Sequence, residues 1–163
     1  MDKFILQFEK IVRKSNKFTQ ERTEPLGGLH PFDERNIHQT VAIIAKRLFD
    51  DGHFAQATFE VFKFIDKEIK LHSSSTENGF KLMMQVFSND SPMIKLNNLS
   101  SVSDKDEQKG YQFLFAGSVL AIRNPRGHEY NVIDSIDKCL DHLNLASLLI
   151  RRLEEAGFSI SAP

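Results

Sequence analysis

Tryptophan is absent from this chain of 163 residues, tyrosine occurs twice and cysteine once. A lone Cys139 excludes an internal disulfide and a zinc site built from thiols. Its place in an apolar helical stretch marks it as a buried structural thiol. No apolar run approaches the roughly 20 residues that a membrane-crossing helix needs. The segment Met1 to Phe8 is too short and too mixed for a signal peptide, so the expectation is a cytoplasmic protein without a membrane partner. Neither sign of charge is in excess: 21 Lys and Arg face 22 Asp and Glu, for a net charge of −1. A chain without a basic field meets nucleic acid only through a local cluster, or through one assembled from two subunits. Alternating strand-like patterns are scarce, and no internal repeat is visible.

What the chain has is phenylalanine, 14 of them, spaced along helical stripes. Phe4, Phe8, Ile11 and Val12 share one face of an N-terminal amphipathic helix. Periodicity then lapses up to Pro25-Leu26-Gly27-Gly28, a linker pattern. Residues 1–28 are therefore expected to be a helix with its linker, and residues 29–163 a bundle domain. From near Asp33, the residues Val41, Ile44, Ala45, Leu48 and Phe49 repeat as one apolar helix face. Asp50-Asp51-Gly52 stops that helix. The next helix follows almost at once, from His53 to Leu71, with Phe54, Ala57, Val61, Phe62, Ile65 and Ile69 on its stripe. So short a connection makes the two antiparallel neighbours.

Phe80, Met83, Met84 and Phe87 predict a short helix, and residues 88–103 a loop. Ser103 with Asp106 reads as a capping box opening a helix with the stripe Tyr111, Leu114, Phe115, Ser118, Val119 and Ile122. The last helix is expected from an N-cap at Asp134 to Gly157, with Ile136, Leu140, Leu143, Ile150 and Leu153 inward. The fold class is all-α: an up-and-down helical bundle with an additional N-terminal helix.

Chemistry concentrates in Arg123-Asn124-Pro125-Arg126-Gly127-His128. Pro125 disfavours helical geometry at Asn124, and Gly127 is free to take angles that other residues avoid. The expectation is a helix break between Arg123 and His128. Along an unbroken helix, side chains five positions apart leave the axis roughly 140° from one another; a break lets them converge. An imidazole exchanges protons near neutral pH, and a guanidinium binds phosphate oxygens through two hydrogen bonds. RNA carries its own nucleophile in the 2′-OH, so positioning, proton transfer and charge stabilisation suffice without a metal. The same spacing also arises in a polar turn between helices.

The string from Arg123 to His128, between two helices, resembles the Arg-x4–6-His signature of the HEPN superfamily. Longer stretches resemble a bacterial family labelled Ymh-type hypothetical proteins. They are Asp51-Gly52-His53-Phe54-Ala55-Gln56-Ala57 with Glu60, Asp106-Glu107-Gln108-Lys109-Gly110, Phe115-Ala116-Gly117, and Ala146 through Leu153. The likeness spans residues 29 to 156. It implies a helical bundle, commonly dimeric, with two motifs facing across the dimer axis. It further implies metal-independent cleavage of RNA, with no cofactor, in toxin or phage-defence settings where an antitoxin or defence-system protein is a partner. By the same resemblance Arg123 and His128 are the catalytic pair and Asn124 the polar residue beside the arginine. Arg126 is a phosphate contact by charge and position only. The superfamily also contains members without catalysis.

Glu60 is a candidate auxiliary residue that would orient His128 or Arg123; the alternative is a solvated carboxylate paired with Lys63 or Lys67. His30, His38, His53, His72 and His142 lack metal-ligand spacing, so no metal site is expected. His142 reads as exposed, and Arg151 to Glu155 as a solvated face. Asp104, Asp106 and Glu107 suit a helix N-terminus. Three functions follow: a dimeric endoribonuclease with a composite active site; a non-catalytic module holding RNA, a nucleotide or a protein partner; and an interaction domain assembled through the first helix.

Overall fold

The computed structural model describes residues 28–129 and 131–160. The helix expected over Lys3 to Val12, its linker and the boundary drawn at residue 28 lie outside or at the edge of the described residues. Within them the structure is helical, with no strand. The elements are α1 (Pro31–Glu34), α2 (Gln39–Asp50), α3 (Phe54–Ser73), α4 (Gly79–Val86), α5 (Val102–Ser118), a π-helical turn (Val119–Arg123), α6 (Asn124–His128) and α7 (Ile136–Glu155).

The apolar stripes explain why these segments pack as they do. α3 is the central element and touches α2, α4, α6, α7 and the π turn. Its stripe residues Ala57, Val61, Phe62, Ile65 and Ile69 are all buried. α7 supplies Leu140, Leu143, Leu149, Ile150 and Leu153 to the same core. α2 ends in the tight turn at Gly52, whose φ of +81° is the left-handed region where a Cβ is strained. Its face of Val41, Ala45 and Phe49 packs inward, and the Phe49 ring meets Phe32 of α1 at 4.9 Å and Phe54 at 5.2 Å.

The helix expected from near Asp33 is split: α1 ends at Glu34, Asn36 takes a φ of +51°, and α2 begins only at Gln39, where the His38 ring accepts from the Thr40 N–H. Two later helix starts shift by a residue or two. The capping box at α5 is Ser101 with Asp104, not Ser103 with Asp106. α7 is capped by the Ser135 hydroxyl, which accepts from the Lys138 N–H. That frees Asp134 for another task. α5 also departs from its expected stripe: Leu114 is exposed, whereas Gln108 and Gln112 are buried. Gln108 donates to the carbonyls of Phe87 and Ile94 and accepts from the Leu96 N–H. These side-chain amides satisfy the backbone of the loop after α4, which would otherwise be buried without partners. Arg152, expected on a solvated face, is only 11% exposed at its side chain and pairs with Glu107 and Glu155. It also donates to the Leu96 carbonyl and lies over the Tyr111 ring.

Candidate functional site

The expected break at Pro125 does not occur. Asn124 has α-helical angles, φ −63° and ψ −45°, and the helical path runs from α5 to His128. A proline inside a helix removes one N–H and its ring collides with the carbonyl four residues back. The chain accommodates this by widening rather than stopping. The Asn124 N–H bonds to the Val119 carbonyl, five residues back, and the turn over 119–123 becomes π-helical. Such single π turns recur at functional sites. Gly127 likewise serves by size, not by unusual angles. A Cβ there would lie 2.8 Å from Cε2 of Phe59 on α3, so glycine sets how closely α6 approaches α3.

The motif side chains separate into two environments. Arg126 faces inward. Its Nε and Nη2 donate to the two Asp134 carboxylate oxygens at 2.7 and 2.8 Å, and its Nη1 donates to the Ile122 carbonyl at 2.6 Å. Its side chain is 3% exposed and that of Asp134 is 0% exposed. The expected phosphate contact at Arg126 is thus corrected: its donors are spent on a buried fork that ties α6 to the start of α7. Burial pushes the Asp134 carboxyl upward, but hydrogen bonds from Arg126 and Lys138 outweigh it and hold the group below its ordinary value. His142 is part of this cluster rather than exposed. Its Nδ1 lies 3.3 Å from Nη2 of Arg126, and burial, then the Arg126 charge, lower its pKa. An Nδ1 that accepts from a guanidinium is unprotonated, so the neutral form fits the geometry. Nearby, the Cys139 thiol is buried, pushed up by that burial, and accepts from the Thr58 hydroxyl.

Arg123 is built differently. It is half-buried, its Nη1 donates to Oδ1 of Asn124 at 3.0 Å, and its guanidinium carbon stands 5.9 Å from the centroid of the Phe59 ring. Among the described residues no carboxylate pairs with it, and its Nε is buried without a hydrogen-bond partner. Holding a half-buried cation without a counter-charge is costly, which makes this group a natural seat for an anion. Asn124 is one helical turn before His128, so the two share a face about 6 Å apart along the axis. Asn124 therefore draws Nη1 of Arg123 toward the face on which His128 stands. The helix is continuous here, and the Arg123 guanidinium is held by Asn124 and Phe59. His128 is exposed at the end of α6.

Glu60 does not join this pair. Its oxygens accept from Gln56 at 2.7 Å and from Lys63 at 3.1 Å, so the carboxylate is engaged along α3, as in the pairing alternative. Sequence reasoning missed Phe59, which meets three partners: Arg123, Gly127 and Lys63, the last with Nζ 5.7 Å from the ring centroid. Its only signal was a position just off the apolar stripe of α3. Among the described residues no cluster of His, Cys, Asp or Glu is arranged to hold a metal ion, and no helix is long and apolar enough to cross a membrane.

Residues 35–153 match a family model described as a protein of unknown function, Hypoth_ymh. No curated protein and no solved structure matches the chain.

Proposed function

The chain belongs to the Hypoth_ymh family, and from that premise we propose that it is a metal-independent endoribonuclease of the HEPN type. The observation that carries this reading is the uncompensated Arg123 guanidinium, fixed by Asn124 and Phe59 beside an exposed His128. A phosphate seated on the accessible part of the guanidinium neutralises the charge. One imidazole takes the proton of the 2′-OH as its oxygen attacks phosphorus. A second imidazole donates a proton to the departing 5′-oxygen, leaving a 2′,3′-cyclic phosphate and a 5′-hydroxyl.

One chain has a single histidine at this position, so the two proton transfers call for two copies. The surface beside Arg123 supports such pairing. Phe113 is 53% and Leu120 50% exposed, Gly117 and Ala121 are exposed small residues on the same stretch, and open space lies above Gly117. Small residues let two helices approach closely, and large apolar ones gain by being covered. A homodimer with a composite site belongs to this proposal, as do a cytoplasmic location, a toxin or phage-defence role and an antitoxin or defence-system partner. The role and that partner rest on the resemblance alone, the location on the sequence reading of residues 1–8 and of the apolar runs.

Purified protein incubated with RNA in excess chelator is expected to yield fragments ending in 2′,3′-cyclic phosphate. Intact RNA under those conditions, or fragments with 3′-hydroxyl ends, contradicts the mechanism. A second reading has an observation of its own: among the described residues no hydrogen bond holds the His128 ring. That favours a non-catalytic module in which Arg123 binds RNA, a nucleotide or an acidic protein segment. Binding abolished by Arg123→Ala, with no cleavage by the wild type, would select it.

A further inference from the structure

A groove of about 220 Å³ runs between α2 and α3, lined by Ile44, Glu60, Lys63, Phe64 and Lys67. Its Lys63 stands one helical turn from Phe59, whose ring both Lys63 and Arg123 approach. Lys63 and Lys67 are one turn apart on α3, so their side chains emerge on one side roughly 6 Å apart along the axis. Arg123, Lys63 and Lys67 form a row of cations leading away from the site. Lys67 is exposed and pairs with no carboxylate among the described residues. The groove also offers apolar contact from Ile44 and Phe64, both half-buried. Cations tracking a backbone beside an aromatic surface that meets bases is the arrangement used for single strands.

We propose that this groove holds the single-stranded RNA flanking the phosphate at Arg123, with Lys63 and Lys67 contacting successive phosphates. The inference rests on the ribonuclease reading for the identity of the ligand, and it adds a binding track to that site. It also gives Glu60 a role. This carboxylate holds Lys63 at 3.1 Å and competes with phosphate for it, weakening the track. A strand that fits the groove displaces Glu60 from Lys63 and leaves the Gln56–Glu60 bond in place.

The test uses the full chain and a fluorescently labelled 12-nucleotide RNA, with affinity measured over a range of salt concentrations. Lys63→Ala/Lys67→Ala is expected to weaken binding at least tenfold at low salt. The slope of log affinity against log salt should fall by about 1.4, at roughly 0.7 for each single-strand phosphate that no longer meets a lysine. Glu60→Gln is expected to tighten binding severalfold. Removing the same two charges at the exposed positions Lys81 and Lys95 is expected to change affinity by less than twofold, which controls for net charge. Wild-type affinity and slope in the Lys63/Lys67 variant, or equal loss in the Lys81/Lys95 variant, overturns the inference. If the wild type cuts RNA and this pattern is absent, only the groove fails. If binding shows the pattern without any cutting, the groove stands and the nuclease reading fails. A wild type that neither binds nor cuts removes both.

Discussion

At the scale of single residues, two arginines three positions apart have opposite fates. Arg126 has its carboxylate, and among the described residues Arg123 has none. Position in the sequence string gave both the same charge, and only the π turn followed by α6 sends one inward and the other toward α3. The distinction is testable through stability. Arg126→Met leaves the Asp134 carboxylate buried without its fork, a change that costs about 3–5 kcal/mol; urea unfolding should show it, and a loss under about 1 kcal/mol would remove the pair from the account. Acid should act on the same cluster in two stages. A histidine held below its ordinary 6.5 contributes fully above that value and loses its contribution as pH falls toward the lowered one. An aspartate held below its ordinary 3.8 behaves likewise at lower pH. The unfolding midpoint should therefore decline first below about pH 6.5 and again below about pH 3.8. His142→Gln, which keeps an acceptor for Arg126 but cannot titrate, should flatten the first decline alone.

At the scale of elements, the stripes were legible wherever burial is uniform along a helix. Ile136 at the start of α7, expected inward, is 50% exposed, but α3, and α7 from Leu140 onward, follow their periodicity almost residue for residue. α5 does not, because it packs against a loop whose carbonyls and N–H groups need partners, and two glutamines meet that need better than leucines would. A pattern of apolar residues cannot reveal a face chosen for hydrogen bonding. The continuous helix through Pro125 was equally hidden, since local preference argues for a break and only packing against α3 makes a widened turn the better solution. Gly127 reports that packing. Gly127→Ala sets a methyl against the Phe59 ring and should destabilise the fold by about 1–3 kcal/mol. It should also weaken RNA cleavage by tilting Arg123 off its aromatic support. An unchanged melting temperature together with full activity would mean that the α3–α6 contact is not what positions the arginine.

At the scale of the whole molecule, a protein of net charge −1 that is proposed to hold a polyanion needs a local assembly of cations. The candidate dimer face and the Arg123 seat are neighbours, so activity and association should fail together. Leu120→Glu places a carboxylate on a side chain that is 50% exposed in the single chain. The fold should survive, the mass measured by light scattering should fall to that of one chain, and cleavage should disappear with it. A monomeric wild type with full activity would contradict the composite site. Fold class was readable from sequence because helical periodicity repeats over most of the chain. The site was readable only as residue types, because the pairing of Arg126 with Asp134 depends on how α6 meets the start of α7, and the string does not reveal that Arg123 lacks a carboxylate among the described residues.

The most direct measurement is single-turnover RNA cleavage, in chelator, by the wild type, Arg123→Ala and His128→Ala, with circular dichroism confirming that all three are folded. The account predicts cutting by the wild type and a loss of at least about 100-fold in each variant, the scale set by removing one group that stabilises or shuttles charge in the transition state. Equal cleavage by the wild type and the folded His128→Ala protein would contradict it.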